Sequence, residues 1–496
     1  MTTKREPTLL EALIPIIFLI LLLIVNVGIF GSSALSGSNQ IVLILSAGVA
    51  AIVAFRIGYR WQEIQDGIVK SISSAMASIL ILLLIGALAG TWMLSGVVPA
   101  MIYYGLQILN PTIFLVAACI VCSIVSIATG SSWTTAATVG IALIGIGQAL
   151  GISEGLVAGA ILSGAYFGDK MSPLSDTTNL APAMAGTDLF THIRYMTITT
   201  VPSIILALII FLIIGFANSS GGAIEGKTEI LAAIAGTFNI SGWLFIVPIV
   251  VVVLIVKKMP ALPALLIGTL LGAVFALVFQ PNLVAEVAAT ASFDGILYDD
   301  FYSISPGLTN NFIGTMQAMF GSTSFTTGNA ILDDQGLLSS SGMSGMMGTI
   351  WLILSAMIFG GVMEGTGMLK RIAGAIISKV KSTGSLITST VGTCIFFNGT
   401  AADQYLAIVV PGRMYADTYR EKGLAPENLS RTLEDSGTVT SVLIPWNTCG
   451  AYHASVLGVS TGTYLPYCFF NIISPFMTIL VAYTGYKIRK IAKKGE

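Results

Sequence analysis

Long apolar stretches alternate with short polar segments along the whole chain. A helix needs roughly 20 residues to cross a hydrocarbon core about 30 Å thick. Stretches such as 9–30 and 198–216 are long enough to do so, and similar ones recur to the last residues. The pattern predicts an all-α polytopic membrane protein.

Basic residues mark cytoplasmic segments in such proteins. Lys and Arg gather between alternate apolar stretches and are absent from 31–40, 96–111 and the acidic region 280–346, which we therefore place outside. Both termini are then cytoplasmic. About ten transmembrane helices are predicted, at 9–30, 41–55, 71–95, 156–182, 195–217, 236–256, 261–279, 347–369, 433–459 and 464–486.

Two further apolar pairs leave and return to the same side of the membrane: 112–128 with 135–150, and 385–397 with 404–411. The charge pattern allows each pair either to cross the membrane fully or to dip into it, because in either case the chain returns to the side where it began. The thirteen residues of 385–397 would rise only about 20 Å as a helix. Length therefore favours two re-entrant hairpins.

Two parts of the chain share one succession of motifs. "GALAGTWMLSGVVPAMI" from Gly86 resembles "GGVMEGTGMLKRIAGAI" from Gly360. Polar clusters follow in "ATGSSWTT" and "FNGTAADQ", where Gly130 and Gly399 are expected to turn the hairpin tips. Proline-containing polar breaks come next, in "LSDTTNLAPAMAG" from Leu174 and "LEDSGTVTSVLIPWNTCG" from Leu433.

The charge map gives these two copies opposite orientations. An inverted repeat with interrupted helices indicates a secondary transporter whose site lies near the bilayer midplane. We predict a first half at 1–217, with hairpin 112–150 and broken helix 156–182. A mixed region follows at 218–346, and a second repeat at 347–496 contains hairpin 385–411 and broken helix 433–459.

Composition supports the membrane class, since only 9% of residues are charged, against roughly a quarter in soluble domains. The net charge of −1 does not suggest a nucleic-acid partner. Cys119 and Cys122 form a C-x-x-C pair, but no second pair and no nearby His completes a site. We interpret them as small buried residues.

Carboxylates inside a membrane are costly and indicate function by default. Asp176 and Asp435 occupy equivalent positions in the two copies, and an all-oxygen set of neighbours suits a hard cation. We predict Na⁺ at Asp176 and Asp435. Excluding water disfavours the charged carboxylate, so a proton can compete with Na⁺. The candidate cation- and proton-binding residues are Asp176, Asp435, Asp169, Asp403, Ser131, Ser132, Thr177, Asn179, Asn398, Thr400, Asn447 and Thr448.

Several alternatives stand beside these assignments. Asp169 could form a structural ion pair with Lys170, and Glu434 is interpreted as a residue of the cytoplasmic lip. An intramembrane aspartyl protease would need a glycine where Tyr166 stands, so no enzyme is predicted. A channel is the other alternative, because polar hairpins can line a pore.

Four long motifs carry a resemblance to a known family: "GDKMSPLSDTTNLAP", "GTAADQYLAIVVPGRMY", "NLSRTLEDSGTVTSVLIPWNTCGAY" and "TGSSWTTAATVG". Together they resemble the NhaC family of bacterial Na⁺/H⁺ antiporters, within the ion transporter superfamily. The resemblance implies exchange of Na⁺ or Li⁺ for H⁺ across the bacterial cytoplasmic membrane, with no cofactor besides these ions. The superfamily resemblance also implies that the protein can form a homodimer. A branch that resembles malate/lactate antiporters, coupled to Na⁺ and H⁺, supplies the alternative function.

Overall fold

A computed structural model describes residues 4–30, 34, 37–108, 110–218, 227–290, 303–334, 337–377 and 380–491. Helices make up nearly all the regular structure of these residues, and two short strands, Thr323–Ser324 and Ser339–Ser340, pair antiparallel. Within the described chain, seven helices are long and apolar enough to cross a bilayer, or nine structures if two bent helix pairs each count as one span. The all-α polytopic membrane class is confirmed.

The first half begins with four helices and continues with a hairpin, a broken helix and a long helix. The opening helices are Leu9–Phe30, Ser38–Arg56, Trp61–Leu94 and Val97–Ile108. The first hairpin consists of Pro111–Thr129 and a second limb made of Ser132–Thr135, the π-helical Ala136–Gly140 and Ile141–Ala149. The first broken helix is Glu154–Met171 with Asp176–Ala185, followed by Leu189–Asn218.

The middle of the chain contains a sharply bent pair and several shorter helices. Lys227–Thr237 bends by 83° into Gly242–Phe245 and Ile246–Val256. Next come Ala261–Phe279, Pro281–Ala289, Pro306–Phe320, Ala330–Asp334 and Ser344–Met346. Part of the predicted acidic external region, with Asp294, Asp299 and Asp300, lies outside the described residues.

The second half repeats the succession of the first. Met347–Gly365 and Met368–Ile377 precede the second hairpin, Thr383–Thr400 with Gln404–Glu421. The second broken helix comprises Pro426–Leu433, the π-helical Glu434–Thr438, Ser441–Leu443 and Thr448–Leu457. The chain ends its helical part with Thr461–Tyr464, Leu465–Tyr467 and Phe469–Thr484.

Two details of the second hairpin differ from the sequence prediction. Its first limb has 18 residues rather than the expected thirteen, because polar residues at both ends continue the helix, so the length argument for dipping does not apply to it. Its turn also lies elsewhere. Gly399 is helical, and Ala402 adopts the left-handed conformation with φ of 57°.

The first hairpin and the first broken helix pack with their backbones in close approach. A Cβ atom on Gly164 would lie 2.1 Å from the carbonyl oxygen of Cys119, and one on Gly168 would lie 2.4 Å from that of Ser123. Small residues four apart allow this approach between membrane helices. The packing holds Asp169, the residue after Gly168, against the hairpin. Cys119 and Cys122 are buried and free, as the sequence analysis expected.

Apolar side chains cover much of the outer surface of the helices. Ile24, Ile213, Val278 and Phe476 are all more than three-fifths exposed. A soluble protein rarely shows such extended apolar surface, whereas lipid is its natural contact. The polar groups are instead turned inward, where the site lies.

Candidate ion-binding site

Each hairpin tip packs against the break in the broken helix that follows it. In the first half, Gly130 turns with φ of 71°, and a Cβ there would lie 2.6 Å from that of Leu174 in the break. In the second half, the Thr448 N–H donates to the carbonyl oxygen of Ala402 at 2.9 Å. The Trp446 indole donates to that of Gly399 at 2.7 Å. In the second half, these two bonds satisfy backbone groups of the tip and of the break within the protein, as a membrane interior requires.

The two pairs of tip and break meet at one cavity of about 740 Å³. The helix Trp61–Leu94 and the segment 258–263 complete its wall. A lining rich in hydroxyl, amide and charged groups sets it apart from the apolar exterior. These groups belong to Ser74, Ser78, Thr129, Ser131, Thr134, Asp169, Ser175, Asp176, Thr177, Lys258, Gln404, Tyr405 and Thr448.

Asp169 is the buried carboxylate of this cavity, with only 7% of its surface exposed. Its Oδ2 accepts hydrogen bonds from the backbone N–H of Ser132 at 3.1 Å and from the Ser132 hydroxyl at 2.6 Å. The first hairpin tip therefore orients it. Asp176 begins the second part of the broken helix and is exposed. The two carboxylates thus line the same space at different depths.

The structure brings part of the predicted site together. Ser131, Asp169, Asp176, Thr177 and Thr448 line the cavity, and Ser132 supports Asp169. Across the described residues, no group of three or more His, Cys, Asp or Glu is arranged to hold a metal ion. A cation in this cavity would therefore need hydroxyl or backbone oxygens beside the carboxylates.

Other predicted ligands hold the backbone instead. Asp403 caps the helix Gln404–Glu421 and accepts from the N–H of Leu406 at 2.9 Å. Asn447 caps Thr448–Leu457 in the same way. Asn398 donates to the carbonyl oxygen of Gly437 at 2.8 Å. Asn179 and Thr400 likewise donate to backbone carbonyls, those of Ser175 and Phe396.

Asp176 lines the cavity and Asp435 does not, so the Na⁺ site predicted at both aspartates stays a prediction. Asp435 is fully buried, and its Oδ1 is paired with the ammonium group of Lys170. The remaining donors are the hydroxyls of Thr199 at 2.7 Å, Ser474 at 3.2 Å and Thr478. Its charge and its lone pairs are already satisfied.

Lys170 therefore pairs with Asp435 and not with Asp169, the alternative raised from the sequence. The two consecutive side chains point in different directions, since Asp169 lines the cavity and Lys170 crosses to the second broken helix. Both members of the pair have no exposed surface. A buried ion pair that loses one partner leaves an uncompensated charge, which costs about 3–5 kcal/mol. Lys170 thus joins the two halves.

Glu434, interpreted from the sequence as a residue of the cytoplasmic lip, is fully buried in the protein, and its depth in the membrane stays a prediction. It opens the π-helical segment Glu434–Thr438, directly before Asp435.

Sequence reasoning missed the residues that surround Asp435. Lys170 carried a usable signal, because a lysine inside an apolar span is itself a functional candidate. Thr199, Ser474 and Thr478 are single hydroxyls in apolar stretches and gave none. Lys258 was interpreted only as a topological marker, although it lines the cavity.

A helical membrane protein whose interrupted helices converge on a polar cavity is a secondary transporter in its architecture. The sequence model of the Na⁺/H⁺ antiporter family matches residues 164–486. The chain belongs to this family.

Relatives of known name match almost the whole chain. It is 38% identical to the Na(+)/H(+) antiporter NhaC of Alkalihalophilus pseudofirmus, over 95% of this chain and 96% of that protein. It is 37% identical to the malate-2H(+)/Na(+)-lactate antiporter of Bacillus subtilis, over 98% and 96%. It is 35% identical to the arginine/ornithine antiporter ArcD of Halobacterium salinarum, over 98% and 94%. The predicted family is confirmed, and the chain is a multi-pass membrane transporter rather than an enzyme.

Proposed function

We propose that the protein exchanges Na⁺ or Li⁺ for H⁺ across the bacterial cytoplasmic membrane, with both termini on the cytoplasmic side. The observation that carries this proposal is the cavity in which Asp169 and Asp176 lie among hydroxyl groups from both halves of the chain. Family membership and the 38% identity to an Na⁺/H⁺ antiporter support the same reaction.

Competition for Asp169 provides the exchange chemistry. Hydroxyl and carboxylate oxygens are suitable ligands for Na⁺, and Ser131, Thr177 and Thr448 share the cavity with Asp169. A proton neutralises the same carboxylate, so either ion removes the negative charge and the two exclude each other. A carrier that reorients readily only when this charge is neutralised then moves Na⁺ one way and H⁺ the other.

In the proposed cycle, the Lys170 ammonium balances the charge of Asp435 when no Na⁺ is bound there. The Lys170 ammonium occupies the place at Asp435 where a monovalent cation would otherwise lie. Thr199, Ser474 and Thr478 are hydroxyls that can rotate from donating to the carboxylate to ligating a cation. We therefore keep Asp435 in the proposed machinery, as a residue that receives Na⁺ only when Lys170 moves away.

Reconstitution in liposomes tests the proposal. With an imposed pH gradient followed by a fluorescent dye, addition of Na⁺ or Li⁺ should dissipate the gradient, whereas K⁺ should have little effect. Absence of any Na⁺-dependent dissipation by correctly folded protein would refute the function. A conductance with single-channel steps would identify a channel instead.

Exchange of small carboxylates is the second candidate. A cavity of about 740 Å³ is within the range of small-molecule sites and far larger than a dehydrated Na⁺ needs. Lys258 lies on its wall and can attract an anion. A relative named as a malate/lactate antiporter, 37% identical, supports this candidate. Uptake of radiolabelled malate driven by internal lactate would decide for this candidate.

Two finer features belong to the same proposal. The transported ions are its only small-molecule requirement, so activity should need no added cofactor. The protein works as a homodimer, as the superfamily resemblance allows, and its mass in detergent or nanodiscs tests this.

A further inference from the structure

We propose that the start of the second broken helix contains a binding site for a small monovalent inorganic anion such as chloride, and that the buried guanidinium of Arg431 is its main ligand. The site is separate from the cavity described above, which Arg431 does not line. Binding of the anion goes beyond the proposed function, and only its effect on transport rests on that function.

Arg431 is a buried cation without a counter-charge. Its side chain has no exposed surface, and its Nε and both terminal nitrogens lack hydrogen-bond partners among the described residues. It also takes no part in the ion pairs formed within this part of the chain. Arginine stays protonated in proteins, and a buried charge is normally paired and hydrogen-bonded. An anion from outside the chain would complete it.

An aromatic ring positions the guanidinium but does not satisfy its N–H groups. The Tyr195 ring centroid lies 4.5 Å from Cζ of Arg431 and 5.0 Å from Cζ of Arg489. The ring attracts a cation through its face, whereas the guanidinium donors form a planar fork that needs acceptors. The Tyr195 hydroxyl is engaged elsewhere, with the Asn428 amide oxygen at 2.5 Å and the Lys487 carbonyl oxygen at 2.9 Å. Arg431 is thus an oriented donor without an acceptor.

The local charges favour a monovalent anion. The charged groups that act on Tyr195 are Arg431, Glu427 and Arg489. Glu427 lies one turn before Arg431 on the helix Pro426–Leu433 and pairs with Arg489 at 3.2 Å, so one positive charge is left over. A dianion would replace this excess by a negative charge near the Glu427 carboxylate. A halide ion balances it and can accept charge-assisted hydrogen bonds from two N–H groups of the fork.

The Glu427–Arg489 pair lies nearer the protein surface than Arg431 does. The Glu427 side chain is 10% exposed and that of Arg489 is 50% exposed, whereas Arg431, one turn further along the helix, has no exposed surface. An ion pair with an exposed member contributes little stability. A small anion can therefore reach Arg431 when the Arg489 side chain moves aside.

The anion would act on transport through Asp435, four residues after Arg431. A guanidinium without a counter-charge repels a cation that approaches this carboxylate. A bound anion cancels the repulsion, so Na⁺ should replace the Lys170 ammonium at Asp435 at a lower concentration. Anion and Na⁺ then bind cooperatively. This consequence rests on the proposed Na⁺/H⁺ exchange.

Bromide tests the site in the unaltered protein. Crystals soaked in bromide should show an anomalous scattering peak within hydrogen-bonding distance of the Arg431 guanidinium. Absence of a peak there would overturn the site, since a water molecule would then complete Arg431. This test needs no variant and therefore decides the question even if a change of Arg431 prevents folding.

Thermal unfolding tests the ligand in solution, with chloride replacing gluconate at constant ionic strength. The unaltered protein should show a saturable rise of the unfolding midpoint with chloride, because a ligand that binds only the folded state stabilises it. Arg431→Met should lose this rise. Arg420→Met is the matched control and should keep it, because Arg420 is an arginine with 72% of its side chain exposed. An equal rise in Arg431→Met would overturn the assignment.

Proteoliposomes test the effect on transport. Replacing chloride by gluconate should raise the half-saturating Na⁺ concentration of the unaltered protein about fivefold or more, the lower end of the usual coupling between two sites. Arg431→Met should show no such change. A Na⁺ dependence of the unaltered protein that is the same in both salts would overturn this effect. If the protein exchanges no Na⁺ for H⁺ in either salt, the proposed function fails, whereas the bromide and unfolding results still decide the site.

Discussion

Lys170 carries a positive charge at a place where neither it nor its partner Asp435 has any exposed surface. Lys170→Met should destabilise the protein by about 3–5 kcal/mol, because Asp435 is left buried and unpaired. Lys170→Met with Asp435→Leu should recover most of that stability, since an apolar pair of similar volume is often tolerated. Denaturation in detergent measures both.

Transport distinguishes the two meanings of this pair. The stable double variant should still lack Na⁺/H⁺ exchange if Asp435 receives the cation. Lys381→Met removes an exposed lysine and serves as the control for loss of charge alone. Normal transport by the double variant would show that the Lys170–Asp435 pair has a structural role only.

Asp169 and Asp403 provide a contrast between ligand and cap. Asp169→Asn should abolish Na⁺-dependent dissipation of the pH gradient, because an amide has no negative charge for which Na⁺ and H⁺ can compete. Asp403→Asn should keep activity, since Asn caps a helix about as well as Asp, whereas Asp403→Ala should cost about 1 kcal/mol of stability. The dye assay and thermal unfolding measure these outcomes. Loss of transport in Asp403→Asn would show that Asp403 takes part in ion binding and does not only cap a helix.

For single residues, the sequence predicted which carboxylates are candidates for function but did not predict the residues that contact them. The cost of a charge in lipid singled out Asp169 and Asp176 without a structure. It could not distinguish Asp403, which caps a helix, from a ligand, because both uses place an aspartate at a polar interruption. Which of two adjacent residues, Asp169 or Lys170, faces the cavity depends on helix rotation, which packing at Gly164 and Gly168 determines.

The hairpin tips show how the elements fit together. Gly130→Ala should impair both folding and transport, because φ is positive and the new Cβ would meet Leu174 at 2.6 Å. Gly399→Ala is the matched control, since its Cβ would meet no atom within 4 Å. Expression level, thermal unfolding temperature and Na⁺/H⁺ exchange should all be lower for Gly130→Ala than for Gly399→Ala. Equal behaviour would show that the first tip adapts.

The succession of elements followed from hydrophobic pattern and internal similarity, and the first and seventh predicted spans agree with Leu9–Phe30 and Ala261–Phe279. The position of the second turn was missed. Gly399 suggested a turn by its residue type, yet Ala402 takes the left-handed conformation. Contacts of the tip with Asn447 and Thr448 fix that turn, and such long-range contacts leave no local signal.

For the whole molecule, the opposite orientation of the two repeats is a prediction with a direct test. All five native cysteines are buried, so they should react slowly with a membrane-impermeant maleimide. Gln107→Cys and Lys381→Cys place thiols at exposed positions just before the first and the second hairpin, in segments assigned to opposite sides. Intact cells should label only the first variant, and opened membranes should label both. Labelling of both variants in intact cells would contradict the assigned topology.

Trp133, at the tip of the first hairpin, stacks on Tyr452 of the second broken helix with ring centroids 3.8 Å apart. The Tyr452 hydroxyl also donates to the carbonyl oxygen of Trp133 at 2.9 Å. Any motion that separates the halves must part these rings and change the surroundings of the indole. The Trp133 indole is therefore a built-in optical reporter, and its emission, once separated from that of the five other tryptophans, would follow a single turnover without an attached dye.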